Sequence, residues 1–483
     1  MRANKLGLVL ATGLAAAGAV QAAEVTQSGA GDIERALTRY LPADLVSAGL
    51  VTVRAATSFY ELRLDLAPLA ARTDPRRFSV MGLKPFVYYV RPLDDGLYSV
   101  EANDKLDIRA TTTIPERTSF TYLIDTIKMT GVYDPAIFYF RSADFSLNGA
   151  HITSQTDKQS VDARIGTMTM ALAAQKSATD AIDITSRGLI ETFNETIVDK
   201  QTGRVAIDVD SVDIDVTMDG ARYKALQDIV LFVLDRIDRD QLTADEAAAL
   251  KSMLRAVLPV FDDLKETITA NNVTVATDKG VFAARRVGYE IGMNGVAHST
   301  RVSFGLSVDE PRPPAGLVPD AFREALPTTA RFRGAMTDLD LAGAVAYLID
   351  NADFTARQPL TEAQNRELGR IVLPGGAMTF DFETVEAKSA IYDVSMTGRM
   401  TVYPEETPRQ TADVTIVARA FDKTVAFLQK NASAVPQFGQ AAFVLLMVKG
   451  FGIDQGDGSL RWDVSVDEAG KVLMNGQPLP FQP

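Results

Sequence analysis

From Leu50 to Met218 the apolar residues recur at every second position, the spacing of strands with one face turned to a core. Tyr60-Leu62-Leu64-Leu66, Phe138-Phe140 running into Phe145-Leu147, and Ile165 to Leu172 carry the pattern. It is cleanest in Val205-Ile207-Val209 followed by Val212-Ile214-Val216-Met218, where the phase slips by one residue at Asp210-Ser211. A one-residue slip sends every later side chain to the opposite face, so this step predicts a bulge or a tight reversal. Turn chemistry separates the runs at Leu93-Asp94-Asp95-Gly96, Asn148-Gly149, Asp199-Lys200-Gln201-Thr202-Gly203 and Asp219-Gly220. About a dozen strands in a meander follow from this, and without regularly interleaved long helices the sheet is expected to be antiparallel.

At Tyr223 the period changes. Leu226, Ile229, Val230, Val233, Leu234 and Ile237 recur at helical spacing. Thr243 followed three residues later by Glu246 is a capping box for a second helix, which runs through Leu250 and Met253 to Leu258-Pro259. Strands are expected at Ile268–Ala276, Val281–Met293 and His298–Val308. The order then returns: a helix at Leu341–Ile349, a capping box at Thr361 to Gln364, Ile371-Val372-Leu373-Pro374 answering Ala256-Val257-Leu258-Pro259, and strands at Ala377–Ala387, Ala390–Val402 and Thr411–Ala418. A shorter third copy reads as helices Asp422–Gln429 and Phe438–Val448 with strands Ser459–Asp467 and Lys471–Met474. The expected fold class is α+β, mostly β: a long antiparallel meander with repeated helix-pair plus strand units. Glu310 to Pro319 reads as a stiff, proline-rich linker between the two fuller units. The divisions are 1–22, 23–220, 221–312, 313–408 and 409–483.

Residues 1–22 have the form of a secretory signal peptide: Arg2 and Lys5, an uncharged run from Leu6 to Val20, and Val20-Gln21-Ala22 before a cut expected after Ala22. The run spans about 22 Å as a helix against the roughly 30 Å of a bilayer core, so no transmembrane segment is expected after cleavage. The chain has no cysteine, which excludes disulfides, thiolate metal sites and thiol nucleophiles together. Net charge is −13, and loss of Arg2 and Lys5 would take it to −15. Such acidity argues against nucleic acid as a partner; Arg72, Arg76 and Arg77, the densest basic cluster, reads as a solvated loop.

No constellation of residues points to catalysis. His151 and His298 are the only histidines, too few for a three-histidine metal site, and both are expected on a surface or edge strand. Asp208, Asp210, Asp213, Asp215 and Asp219 suggest calcium, yet their spacing fails the EF-hand pattern and alternation with valine and isoleucine makes a solvated strand face the better reading. Asp454-Gln455-Gly456-Asp457-Gly458 reads as a turn and Trp462, the sole tryptophan, as core packing. The apolar run Gln440 to Gly450 is expected to be buried in the domain's own core. No catalytic, cofactor-binding or metal residue is therefore assigned, no cofactor is expected, and the chain is not expected to be an enzyme.

At Pro314-Ala315-Gly316-Leu317-Val318-Pro319 and at Gly470-Lys471-Val472-Leu473-Met474-Asn475-Gly476-Gln477-Pro478-Leu479 the chain resembles poorly characterised Gram-negative envelope proteins, the YdgA-like and more distantly the AsmA-like families. The resemblance implies a periplasmic home and an envelope role, with no catalytic residues to carry over; a cleavable signal instead of a retained anchor is a departure from it. The expected function is binding of a lipid or other hydrophobic envelope molecule along a curved sheet. The alternative is a non-catalytic scaffold that engages envelope protein partners.

Overall fold

The computed structural model describes residues 24–39, 41–177, 181–234, 236, 241–356, 358–404 and 409–478; the expected signal peptide lies outside them. The chain is mostly antiparallel β-sheet with fewer helices, and it divides into two compact units, Met1–Leu264 with Ala352–Pro359, and Lys265–Asn351 with Leu360–Pro483. Among the described residues no helix is long and apolar enough to cross a membrane.

The first unit opens with α1 (Gln27–Thr38), capped by Thr26, whose side chain accepts from the Gly29 N–H. Ala30, Ile33 and Leu37 lie along one stripe of α1 and bury against β1 (Val51–Ala55) and β2 (Tyr60–Leu64). Glu34 Oε2 accepts the Val53 N–H at 2.7 Å, and the Tyr133 phenol, driven up in pKa by burial, closes the same core. The short α2 (Ala43–Ser47) and α3 (Ala67–Ala71) and the strands β3 (Phe78–Met81) and β4 (Phe86–Pro92) complete this end. Beyond it run β5 (Tyr98–Thr112), β6 (Thr118–Asp134), β7 (Tyr139–Gln155), β8 (Gln159–Lys176), β9 (Ile182–Asp199) and β10 (Gly203–Ala221), each paired antiparallel with the next. At 15 to 19 residues these strands reach about 50–60 Å, far beyond the usual five or six residues.

One row across this sheet breaks the ladder. Asp125, Gly149, Gly166, Thr192 and Asp210 drop out of the regular pairing on five successive strands, while the register resumes unchanged on either side of them from β6 to β10. Between β5 and β6 the row ends as a bulge, with Asp125 and Thr126 facing Lys105. On β5 the alternation never slips: its even-numbered residues from Tyr98 to Ala110 are the more buried throughout. Those residues pair into Ile127-Leu147-Met168-Ile190-Val212 on one side of the row and Ile124-Ala150-Ile165-Phe193-Val209 on the other. Both apolar rows therefore share one face, and the extra residue on each strand is what keeps them there. The slip expected at Asp210-Ser211 is one member of this crease.

Asn148-Gly149 is the correction it brings, since the pair lies inside β7 and makes no chain reversal. Gly149 has φ +65, and a Cβ there would come within 2.2 Å of the Asp125 carboxylate, so the crease and not a turn demands glycine. Asp219-Gly220 likewise lies inside β10, at a break in its pairing with β9, whereas two expected turns are formed: Gly96 N–H closes on Leu93 O at 3.2 Å, and Asp199 to Gly203 joins β9 to β10. Two helices follow, α4 (Tyr223–Leu234) and α5 (Ala244–Ala256), the latter with the Thr243–Glu246 capping box complete.

The second unit is a second meander. Its strands are β11 (Asp263–Thr277), β12 (Gly280–Met293), β13 (Thr300–Asp309), β14 (Thr329–Leu339), β15 (Met378–Lys388), β16 (Asp393–Tyr403), β17 (Arg409–Arg419), β18 (Ile453–Asp454), β19 (Leu460–Val466), β20 (Val472–Met474) and β21 (Gln477–Pro478). Pairing runs in order from β12 to β17, then to β19, β20 and β21, with β18 also on β19. α6 (Leu341–Asn351) and α7 (Glu362–Val372) interrupt the meander between β14 and β15, and the Thr361–Gln364 capping box is formed. α8 (Phe421–Asn431) and α9 (Pro436–Lys449) interrupt it again after β17. The segment Pro311 to Pro319 lies within this unit, where Arg312 and Ala283 exchange backbone bonds of 2.7 and 2.9 Å. Strand β14, with Ala330, Phe332, Gly334 and Met336 on one face, was not anticipated.

Candidate functional site

The register of the second meander sorts its side chains into two unlike faces, because residues directly opposite in an antiparallel pair share a face. One row reads Tyr289-Leu306-Phe332-Val385-Met396-Ile416-Trp462, the next Val287-Val308-Ala330-Ala387-Val394-Ala418-Leu460. A third reads Ile291-Phe304-Gly334-Phe382-Gly398-Val414-Val464. All three are apolar from end to end.

At the β12–β14 end, among the described residues, several of them stay open to solvent. Leu306 is 56% exposed, Phe304 41% and Tyr289 40%, with Phe304 and Phe332 packed at 5.2 Å between ring centres. A contiguous apolar face of this kind is uncommon on a soluble monomer. Toward β17 and β19 the same rows pass under α8 and α9, where Trp462 is 3% exposed and packs on Phe421.

Two apolar hollows flank the face. One of about 420 Å³ lies among Val275, Phe282, Val287, Pro311, Val318 and Leu326. The other, of about 310 Å³, is lined by Val394, Ile416, Phe421, Leu445, Trp462 and Met474, all of them on the rows, on α8 and α9, or on β20. The Trp462 indole N–H donates to Val448 O at 2.9 Å, so that ring brings no unmet polar group into the hollow. Burial pushes the Tyr392 phenol up at its rim. On the other face of the same strands Asp393 Oδ1 is buried and accepts no hydrogen bond, although the Arg419 guanidinium stands 3.6 Å from it.

The opposite face is zipped by charge. Arg399 donates to Asp381 at 2.7 Å and Arg301 to the same carboxylate at 3.3 Å, while Arg301 also pairs with Glu383. Arg333 bridges Glu290 and Glu383 at 2.9 and 2.7 Å. Lys388 continues the ladder to Glu386. The hydrogen bonds from Arg399, then those from Arg301, hold the Asp381 carboxyl below the usual range, and Asp381 in turn raises Arg399. Such a ladder ties five strands, β12 to β16, together.

No family model, curated protein or solved structure matches the chain.

The residues singled out in the sequence fall as follows. His151 sits on β7, an interior strand, and its ring meets Asp162 at 3.0 Å; that contact is the first reason the Asp162 carboxyl is held low. His298 is exposed and meets Asp340 at 2.9 Å. His151 belongs to the first unit and His298 to the second, where it lies in the turn between β12 and β13. Asp213 and Asp215 lie on the polar face of β10, with Arg187 3.4 Å from Asp215, while Asp208 accepts from Asn194 at 2.6 Å and Asp210 is on the crease. Among the described residues no group of three or more metal-binding side chains converges. Arg72 pairs with Asp44 at 2.8 Å, and Arg77 lies 3.9 Å from Asp74, all exposed. Asp457 caps its own turn, accepting from the Ser459 N–H and hydroxyl.

The run Gln440 to Gly450 departs from its expectation of own-core burial. In α9 Ala442 is buried, and Leu445 and Val448 pack on the Trp462 cluster, but Phe443 is 63% exposed and Val444 and Leu446 are exposed beside it. A helix apolar all round has more such surface than one sheet face can cover. Sequence reading missed Asp393 altogether; its only signal is an acidic residue in a strand between apolar Ile391 and Val394, flanked by Arg419 across the ladder.

Proposed function

We propose that this chain is a non-catalytic, exported envelope protein that holds lipid acyl chain on the open apolar face of its second meander. The observation that carries the reading is the set of unroofed rows through Tyr289, Phe304 and Leu306, flanked by hollows of about 420 and 310 Å³. Leaving about half of each of three large apolar side chains in water forgoes roughly 1 kcal/mol each. The rigid ion-paired back of the same sheet supports a platform rather than a catalytic centre. The export half of the reading rests on the sequence of residues 1–22 and on the resemblance to envelope families. The three helix pairs among the described residues, two of them with a threonine capping box at the start of the second helix, support reading the chain as repeated units.

Mass spectrometry of organic extracts from the purified full chain tests this. Acyl lipid should co-purify in near-stoichiometric amount, and the pair Phe304→Glu with Leu306→Glu should reduce it at least tenfold without unfolding the protein. Absence of lipid from preparations made in two expression hosts would overturn the reading. That outcome would favour the alternative of a scaffold, for which the exposed Phe443, Val444 and Leu446 of α9 are the supporting observation.

A further inference from the structure

The ion-paired face of the second meander holds a hollow of about 330 Å³. Two rows of the register form it, Gly288-Ser307-Arg331-Glu386 and Glu290-Gly305-Arg333-Thr384, so these residues share the charged face, opposite Tyr289, Leu306 and Phe332. Gly288 and Gly305 are buried and bring no side chain, which leaves the depression; a Cβ on Gly288 would come 2.4 Å from Ser307 Oγ. Thr267 and Thr269 of β11 complete the lining. Elsewhere on this face threonine hydroxyls are taken up by the protein, Thr329 donating to Asp309 at 3.2 Å and Thr415 to Asp463 at 2.7 Å. Around the hollow the side-chain hydroxyls of Thr267, Thr269, Ser307 and Thr384 make no hydrogen bond to any described residue. Arg331 stands 3.8 Å from Glu386 and 4.0 Å from Asp309, ion-pair distances too long for a hydrogen bond, so its donors are unused as well. Arg331 and Arg333 balance Glu290 and Glu386, and the lining carries no net charge.

We propose that this hollow binds a neutral hexose, free or as the terminal residue of a glycan. A sugar ring presents hydroxyls that both donate and accept, and the hollow answers with hydroxyls that do both, guanidinium donors and carboxylate acceptors. A charged ligand meets like charge whichever sign it carries: Glu290 and Glu386 for an anion, Arg331 and Arg333 for a cation. The bare backbone at Gly288 and Gly305 lets a ring lie close to the sheet, and the threonine methyls give its C–H face an apolar contact. The size agrees: a cavity of about 150 Å³ holds a benzene, so about 330 Å³ has room for one hexose ring with its hydroxyls. The site lies on the side of the sheet opposite the acyl-binding face, so the proposal goes beyond that reading and does not depend on it.

Saturation-transfer NMR on the full chain, followed by calorimetric titration, tests this with the methyl glycosides of glucose, galactose, mannose and N-acetylglucosamine. At least one should bind saturably, with a Kd of about 1 mM or tighter. The matching uronate and amino sugar should bind at least fivefold more weakly. Thr269→Val with Ser307→Ala removes two hydroxyls with little change of shape and should weaken binding at least tenfold. Ser307→Leu should abolish it by filling the hollow; where that variant fails to fold, the Thr269→Val, Ser307→Ala pair still decides. No binding of any of the four glycosides, equal binding of the charged forms, or binding that survives the double variant would each overturn the proposal. The Phe304→Glu, Leu306→Glu pair separates the two readings: it should empty the open face of co-purified lipid and leave the sugar titration unchanged. Loss of sugar binding in that pair would place the sugar on the apolar face and overturn the proposal.

Discussion

The two meanders keep an apolar face in register by different means. In the first, five adjacent strands each take in one extra residue at the same level, so the whole sheet creases and no strand loses its partner. In the second, each surplus sits on a single strand and is not shared across the sheet: Thr337 and Asp338 of β14 face Arg301 of β13, and Glu383 and Thr384 of β15 face Thr397 of β16, where Gly398 takes φ +152. A shared irregularity distributes its strain over side chains that can move. A solitary bulge concentrates it on one backbone contact, and the ion-pair ladder on that face braces the strands around it.

The sharpest way to break this contrast is to add one methyl group to each device. At Gly398 a Cβ would lie 2.3 Å from Asp413 O and 2.5 Å from Val414 Cα, both backbone, so Gly398→Ala should cost about 4 kcal/mol in urea unfolding, strain and overpacking combined. Leu37→Ala, which opens the α1 core of the first unit, should cost about 3 kcal/mol and leave Trp462 fluorescence unchanged in the folded protein. Gly149→Ala meets the Asp125 carboxylate, which can swing aside, and should cost only about 2 kcal/mol, chiefly from its positive φ. If Gly149→Ala proves as costly as Gly398→Ala, the crease is as rigid as the bulge and the contrast fails.

The ladder can be weighed by pH. Asp381 has a carboxyl pKa lower when folded than the roughly 3.9 of an unfolded chain, so its contribution is present above that value and lost as pH falls through the lower, folded one. Asp381→Asn should therefore destabilise by about 1 kcal/mol near pH 7, with the difference from the parent vanishing in strong acid. A difference that persists at pH 2 would show that the side chain acts by packing and not by charge. Smallest of all, Phe443→Ser on the exposed side of α9 should move stability by less than about 0.5 kcal/mol.

Most of this architecture was legible because both elements announce themselves by period. The strands of β5 to β10, the two capping boxes and α8 with α9 all follow from spacing and local chemistry. The crease was legible too, though only one fifth of it was read: Ile124 to Ile127, Leu147 to Ala150, Ile165 to Met168, Ile190 to Phe193 and Val209 to Val212 are each a gap of three in an alternating strand. Asn148-Gly149 misled because the same glycine chemistry serves a hairpin turn and an in-strand φ of +65. β14 was missed since Gly334 stands where a large apolar residue would have completed its pattern, the space over it being filled by the Phe332 ring. α1 escaped notice because its stripe of Ala30, Ile33 and Leu37 is short. The site was the least legible part. Which face of a strand remains open depends on which helices return to cover it, and the Asp393–Arg419 ion pair exists only through pairing between strands.

The crease also answers a question that alternation cannot. A strand of period two fits its neighbour equally well in any register shifted by two residues, since every side chain keeps its face. A single irregular residue placed at the same level in five strands destroys that degeneracy, because a shifted strand would set its kink against a neighbour's straight backbone. It acts as an alignment mark, and it allows strands three times the ordinary length to zip into one register.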